Sequence, residues 1–201
     1  MRLVALSLLP VLALASSLLP VRQAPRATIT SLTSEGPACP PSSIGTTIST
    51  DGTVANVIFS TFRADYEAGV TPPGERDLDC RVIFKLNLPI GCTSFVPSTR
   101  YHGFVGITQG GVTGDVEPSY VLSPGQLTGV NTSPTRFDSA SVKDFIREDA
   151  PTAKVTIRNA NEQTVTFESR TRMRVITNSD QVQGAVWMDA LDINLKNQLS
   201  C

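Results

Sequence analysis

Hydrophobic and polar side chains alternate along residues 163–176, which read QTVTFESRTRMRVI. One parity is apolar at four positions, Val165, Phe167, Met173 and Val175. A period of two predicts a β-strand with one face in the core and the other in water. Since strands buried on both faces of parallel sheets tend to be apolar throughout, the pattern also favours an antiparallel sheet.

Further segments rich in Thr, Val and Ile, separated by Gly and Pro, predict a series of short strands. They cover residues 27–34, 53–64, 80–88, 101–109, 119–123 and 184–197, and residues 153–159 are the predicted hairpin partner of 163–176. The segment SASVKDFIRE at 139–148 differs, because its apolar residues recur at three- and four-residue spacing. That spacing predicts one or two helical turns.

Strands dominate this order and βαβ alternation is absent. The predicted fold class is therefore all-β, an antiparallel β-sandwich with Greek-key or jelly-roll-like connections and at most one short helix. No repeat or long linker divides residues 25–201, which are predicted to form a single domain. The formal net charge of −1 shows no basic excess, which argues against nucleic-acid binding. No motif predicts a cofactor.

The N-terminal residues 1–24 have the layout of a secretory signal peptide. Arg2 precedes an apolar run, and small residues after it predict cleavage between residues 15 and 24. A membrane anchor is the competing interpretation, but Pro10 and several serines interrupt the run, and a spanning helix needs about 20 mostly apolar residues. No second apolar run follows, so the sequence predicts a secreted, extracellular protein without a membrane span.

The four cysteines, Cys39, Cys80, Cys92 and Cys201, fit two disulfides in an oxidising compartment. If residues 80–88 are extended, they span about 26 Å at about 3.3 Å per residue, too far for Cys80 to bond Cys92. Two arrangements remain: 39–80 with 92–201, which we prefer, or 39–92 with 80–201. A metal site is disfavoured because no Cys-x-x-Cys pair occurs and the chain has one His.

One sequon, Asn131-Thr132-Ser133, lies in the loop-like stretch GVNTSPT. In a secreted protein it makes Asn131 a glycosylation candidate. A chance match is the alternative, and Pro134 directly after the sequon lowers its use.

Acidic residues are frequent in the segment RADYEAGVTPPGERDLDC at 63–80. Asp65, Glu67, Asp77 and Asp79 are weak candidates for a cation site or for paired catalytic carboxylates. The spacing matches no calcium loop. The Pro-Pro-Gly triplet at 72–74 favours a solvated surface loop, in which acidic residues are ordinary.

Arg170, Arg172 and Arg174 project from one face of the predicted strand 163–176. Such a row could bind an anionic wall polymer, a lipid head group or a host partner. The alternative is a solvated face on which Glu168 and nearby acids pair with the arginines, and which also protects an edge from pairing with other sheets.

Sugar-binding proteins usually present aromatic platforms. Tyr101 and Trp187 are the candidates in this chain, although its Tyr and Trp residues do not cluster in sequence. The single His, His102, sits on a predicted strand, and without a Gly-x-Ser-x-Gly elbow it is interpreted as structural.

Five segments occur in the order GPACPPSS, DGTVANVIFSTF, DCRVIFKLNLPIG, YHGFVGITQGGVTG and DALDINLKNQLSC. This ordered set resembles the secreted fungal proteins of the domain-of-unknown-function 4360 family over nearly all of the mature chain. The resemblance implies secretion from a fungus and a disulfide-stapled β fold, and it implies no reaction.

Two features depart from that family. Its members often carry a cysteine in a central Ser-Pro-Cys stretch and end in Trp-x-x-Cys. This chain instead has Cys92 just after the Pro-x-Gly turn, and it ends in NQLSC. The resemblance therefore supports the 39–80 disulfide more strongly than the 92–201 disulfide.

The combined prediction is a secreted, non-catalytic fungal protein that acts at the cell wall or host interface, as an effector-like or structural binding protein. The alternatives are a carbohydrate-binding module for wall polysaccharide and a hydrolase that uses the acidic residues at 63–80. The partner would be a cell-wall polysaccharide or a host protein.

Overall fold

A computed structural model describes residues 26–69, 74–108, 110–130, 132–138, 140–156, 164–179 and 181–201. The predicted signal peptide at 1–24 and the glycosylation candidate Asn131 lie outside these residues. Within them the strands are β1 Thr28–Glu35, β2 Ile44–Ile48, β3 Val54–Phe59, β4 Arg63–Tyr66, β5 Gly74–Asn87, β6 Ser94–Ile107, β7 Val112–Ser123, β8 Gln126–Thr128, β9 Thr135–Asp138, β10 Val142–Asp149, β11 Thr152–Lys154, β12 Thr164–Thr177 and β13 Gly184–Ser200. A 3-10 turn spans Pro41–Ser43.

The strands form two antiparallel sheets. Sheet A has the order β1-β5-β12-β7-β9. Sheet B has the order β2-β3-β13-β6-β11-β8, with β4 also paired to β13 and β10 also paired to β6. The antiparallel β-sandwich predicted from the alternation is therefore confirmed. Within the described residues, no helix has the length and hydropathy to cross a membrane.

The core lies between the sheets and is filled by the apolar parity of each long strand. On β12, Val165, Phe167, Met173 and Val175 are buried, as the sequence pattern predicted. Phe167 packs against Phe84 of the neighbouring strand, with ring centroids 6.2 Å apart. Because the inner face is buried, the opposite parity of the same strands is presented outward, and the candidate sites lie on those outer faces.

Two disulfides join Cys39 to Cys80 and Cys92 to Cys201. They form the preferred arrangement of the two that strand geometry left open. Cys80 lies within β5, which is a central strand between β1 and β12. Cys92 follows the turn after β5 and holds the C-terminal residue beside β6, where the Thr93 amide donates to the Ser200 carbonyl.

The predicted helical turns at 139–148 are wrong, because residues 142–149 form strand β10. Phe145, Arg147 and Asp149 point inward with period two, while Ile146 is 63% exposed. The strand period was hidden because two of its three inward residues are charged. They are buried as an ion pair, with 3.0 Å between Arg147 Nε and Asp149 Oδ2.

Two further predictions are corrected. In the described part of the predicted partner 153–159, residues 152–154 form β11, which pairs with β6 and β8 of sheet B and not with β12. Residues 157–159 lie outside the described residues. The described part of the acidic segment is largely strand, since 63–66 form β4 and 74–80 begin β5. A strand with one solvent-exposed face also alternates charged and apolar residues. The acidic side chains therefore did not by themselves indicate a loop.

Candidate functional site

The outer face of sheet B carries two neighbouring aromatic side chains. In the register of β13 with β6, Trp187 lies opposite Phe104, and directly opposed residues bring their side chains into contact. Their ring centroids are 5.3 Å apart and their planes are inclined at 46°. Both side chains remain partly exposed, so the pair forms an apolar surface that solvent and ligands can reach.

A cleft of about 410 Å³ opens beside this pair, and we call it the aromatic cleft. The residues that define it are Arg63, Asp65, Glu67, Phe104, Gly106 and Trp187. Gly106 keeps the cleft open, because a Cβ at this position would lie 3.0 Å from the Phe104 ring. Its cross-strand neighbour Ala185 is also small. Gly106 and Ala185 therefore form the floor of the cleft, and the two aromatic rings stand above it.

The indole of Trp187 is held from the β4 side by two charged residues. The register pairs Trp187 with Arg63 and Ala185 with Asp65. The Arg63 guanidinium lies 4.2 Å from the Trp187 ring centroid, within cation–π range, and it also forms an ion pair with Asp65. Asp65 Oδ1 accepts a hydrogen bond from Trp187 Nε1 at 3.3 Å. These contacts orient the ring and place a carboxylate at its edge.

A polar band continues along the same face, next to the aromatic pair. His102 Nε2 lies 3.2 Å from Asp192 Oδ2, and the Asn56 amide donates to Asp192 Oδ1 at 2.5 Å. His102 therefore belongs to a cross-strand hydrogen-bond network that spans β3, β13 and β6.

The arginine row predicted on β12 lies on the outer face of sheet A, and acids surround it. Arg170 Nη2 donates to Glu168 at 2.8 Å, and Arg172 Nε donates to both Asp77 oxygens at 2.8 Å. Arg174 Nη2 lies 3.3 Å from Asp115 Oδ2. The hydrogen bond from Arg172 lowers the pKa of Asp77. The three arginines are thus paired with carboxylates, and positive and negative side chains alternate across this face.

The four weak acidic candidates are divided between the two faces. Asp65 and Glu67 line the aromatic cleft, whereas Asp79 lines a groove of about 410 Å³ on sheet A, together with Arg81, Arg170 and Arg172. Asp77 is bound to Arg172. In the described part of the chain, no three His, Cys, Asp or Glu side chains converge as a metal-binding group.

Tyr101, the other aromatic candidate, is buried between the sheets and presents no platform. Its hydroxyl lies 2.7 Å from Ser169 Oγ and donates to Tyr120 at 3.1 Å. Tyr120 in turn donates to Asp149 at 2.6 Å. Burial raises the pKa of the Tyr101 phenol. Burial, and then the proximity of Tyr101 and Asp149, raise the pKa of Tyr120. Both phenols therefore act as protonated hydrogen-bond donors in the core.

Sequence reasoning identified Trp187 but missed Phe104, Arg63 and Gly106 as members of the same site. The only signal available was parity: in YHGFVGIT, residues 102, 104 and 106 share one face of the predicted strand. Which strand lies beside that face is set by long-range pairing, which no local pattern encodes.

Three comparisons relate the chain to known proteins. A family model described as "Domain of unknown function (DUF4360)" matches residues 25–201. An "Uncharacterized secreted protein" of Arthroderma benhamiae is 24% identical over 168 residues, covering 84% of this chain and 67% of that protein. The solved structure of TmCBM61 in complex with beta-1,4-galactotriose matches 83% of this chain and 90% of that chain, with a TM-score of 0.28 and 8% identity. A TM-score this low supports no argument about ligand or fold.

Proposed function

This chain belongs to the DUF4360 family, whose description assigns no activity, so we propose its function from the site itself. The protein is a secreted, non-catalytic protein that binds cell-wall polysaccharide through the aromatic cleft. The observation that carries this proposal is the exposed pair of Trp187 and Phe104, 5.3 Å apart on a sheet face, beside hydrogen-bonding side chains.

This combination suits a sugar chain. Aromatic rings pack against the apolar C–H faces of pyranose rings, while a few placed polar groups fix the orientation of the hydroxyls. Asp65 and Glu67 supply hydrogen-bond acceptors within the same cleft. The opening lies on an outer sheet face, so a polymer could pass across it without threading into the protein.

Secretion is part of the proposal. The relative from Arthroderma benhamiae is described as secreted, and two disulfides suit an oxidising compartment. The N-terminal signal-peptide pattern supports the same conclusion.

The proposal contains no catalytic step. Asp65 already accepts a hydrogen bond from the Trp187 indole and pairs with Arg63, which suits a carboxylate that positions the aromatic ring. The competing proposal is hydrolysis by Asp65 and Glu67. Incubation with chitin, glucan and cellulose tests it, since release of new reducing ends that is lost in Glu67→Gln would establish hydrolysis and overturn the non-catalytic proposal.

The test of binding is a pull-down of the purified protein on insoluble chitin, glucan and cellulose. We expect retention on at least one polymer, and a loss of roughly tenfold or more in Trp187→Ala and Phe104→Ala, because aromatic anchors dominate such sites. Ile90→Ala is the matched control, since Ile90 is 78% exposed in the turn after β5. No retention on any polymer, or equal retention by all four proteins, would refute the proposal.

A role as an effector-like protein that binds a host partner is the second candidate. The groove on sheet A supports it, because Arg81, Arg170 and Arg172, together with three carboxylates, line a depression of about 410 Å³. Normal host interaction in a deletion strain would contradict this candidate. If the deletion strain is impaired on host contact and Arg170→Ala reproduces that phenotype, host binding is favoured over polysaccharide binding.

A further inference from the structure

We propose that the ligand of the aromatic cleft is a cationic amino sugar polymer, as in deacetylated chitin, and that Arg63 occupies the place of the ligand's ammonium group in the free protein. This inference rests on the proposed function and names the class of polysaccharide. The charges around the two rings, and the guanidinium that already lies on one of them, support it.

Acidic groups flank the aromatic pair on both sides. Asp65 and Glu67 lie at the β4 side of the cleft. On the other side, the register of β10 with β6 places Asp144 opposite Phe104, and Asp144 is exposed. Among the described residues that line the cleft, Arg63 is the single cation. Within the lining, the carboxylates of Asp65 and Glu67 therefore outnumber the one cation.

The position of Arg63 shows that the cleft accepts a cation. Its guanidinium stacks on the Trp187 ring at 4.2 Å and pairs with Asp65, so aromatic face and carboxylate act on one positive group together. An ammonium on a pyranose ring would meet the same two features. The Arg63 side chain is 52% exposed, so it can leave the ring without disturbing the core.

The same charges discriminate among polysaccharides. A uronate polymer would bring carboxylates toward Asp65, Glu67 and Asp144, and like charges at an interface are repelled. A neutral glucan or fully acetylated chitin would stack on the rings but would not gain from the acidic surroundings. A glucosamine polymer gains from both, provided that its ammonium displaces Arg63 from Trp187 and Asp65.

Because the ligand must displace the Arg63 guanidinium from Trp187, removing this positive side chain should tighten binding. Isothermal titration calorimetry with glucosamine hexamer, N-acetylglucosamine hexamer and galacturonate hexamer measures it. We expect the glucosamine hexamer to bind about tenfold tighter than the acetylated one, and Arg63→Ala to tighten it further by a factor of about three to ten. Asp65→Asn should weaken it about tenfold.

Arg100→Ala is the matched control for Arg63→Ala. Arg100 lies on the same face of sheet B and pairs with Glu148, and its side chain is 51% exposed, so its removal changes the net charge equally without touching the cleft. We expect its affinity for glucosamine hexamer to stay within twofold of the wild type. Equal tightening in both variants would show a general charge effect and overturn the proposal.

The outcomes separate this inference from the proposed function. If the N-acetylglucosamine hexamer binds as tightly as the glucosamine hexamer, and Trp187→Ala abolishes that binding, the proposed function stands and the cationic specificity is refuted. Weaker glucosamine binding in Arg63→Ala, or preference for galacturonate hexamer, also refutes it. If no oligomer binds and the pull-down is negative, the proposed function itself fails.

Discussion

At the scale of single residues, Gly103 is a position where any side chain collides with the backbone of the neighbouring strand. A Cβ there would lie 2.2 Å from the carbonyl oxygen of Trp187 and 2.6 Å from the Phe145 ring. We expect Gly103→Ala to lower the free energy of unfolding by about 1–3 kcal/mol or more, because overpacking forces the β6–β13 pair apart. Urea unfolding followed by tryptophan fluorescence measures it.

Gly106→Ala is the control two residues along the same strand. The atoms nearest to its added Cβ belong to the Phe104 ring, the closest at 3.0 Å, and a partly exposed ring on a sheet face can turn aside. We expect a change in unfolding free energy within about 0.5 kcal/mol. Equal destabilisation by the two substitutions would show that the close approach at Gly103 is not what constrains it.

Two hydrogen-bonded tyrosines, the buried Tyr101 and the partly buried Tyr120, predict how stability depends on alkaline pH. Both phenols have raised pKa values in the folded protein. Above about pH 10 the unfolded state loses these protons while the folded state keeps them, so the free energy of unfolding falls as pH rises. The slope that each tyrosine contributes approaches about 1.4 kcal/mol per pH unit once the unfolded phenol is fully ionised.

Comparing Tyr120→Phe with the wild type isolates one of these slopes. The variant also loses the hydrogen bond to Asp149, so its absolute stability should fall, but the slope above pH 10 is independent of that loss. We expect the average slope between pH 9 and 11 to be shallower by about 0.7 kcal/mol per pH unit, because the unfolded phenol is only half ionised at pH 10. Denaturant titrations over this range measure it. Identical slopes would mean that Tyr120 ionises as readily folded as unfolded.

At the scale of strands and sheets, the sequence predicted the strands in which apolar and polar residues alternate clearly. On β12 every inward apolar position was identified, and the two-faced character of the strand followed from it. On β10 the period was obscured because Arg147 and Asp149 occupy inward positions, and a local pattern cannot show that two charged residues will be buried as a pair.

Two carboxylates on the charged face of sheet A should differ in their contribution to stability. Asp115 is 1% exposed and accepts hydrogen bonds from Arg136 at 2.9 and 3.2 Å. Its carboxylate also lies 3.3 Å from Arg174. We expect Asp115→Asn to cost roughly 1.5–3 kcal/mol, because hydrogen bonds to a buried charge are lost.

Asp77→Asn is the matched substitution on the same face. Asp77 pairs with Arg172, and the two side chains are 35% and 46% exposed, so solvent screens the pair and we expect a cost below about 1 kcal/mol. Chemical unfolding of both variants in low and high salt measures the difference. If Asp77→Asn lost more unfolding free energy than Asp115→Asn, the buried carboxylate would not be the more stabilising of the two.

At the scale of the whole molecule, the candidate site depends on strand pairing that brings distant segments together. Trp187 and Phe104 come from β13 and β6, and Arg63 comes from β4, a short strand on the other side of β13. The sequence indicated a sandwich, with Tyr101 and Trp187 as aromatic candidates. It could not indicate their neighbours, because register between distant strands is set by the packing of the entire core.

The two disulfides close chain segments of different length, and their removal tests how the whole fold is stabilised. The sequence separations are 41 residues for Cys39–Cys80 and 109 residues for Cys92–Cys201. The chain-entropy model gives about 3.9 and about 4.8 kcal/mol for loops of these lengths. We therefore expect the double variants Cys39→Ala with Cys80→Ala, and Cys92→Ala with Cys201→Ala, to lose about 4–5 kcal/mol each.

The two variants should differ in where they loosen. Cys201 directly follows β13, and the Ser200 carbonyl accepts a hydrogen bond from the Thr93 amide. Losing Cys92–Cys201 should therefore fray this end of β13, while Trp187 stays paired with Phe104. Hydrogen exchange should show lost protection near residues 93 and 200, with polymer retention unchanged. Loss of Cys39–Cys80 should instead loosen β1 against β5, since it joins the segment after β1 to Cys80 within β5. If removing Cys92–Cys201 exposed the amides around Trp187 as fully as those at the chain end, β13 would open as one unit, and the aromatic cleft would depend on the C-terminal disulfide.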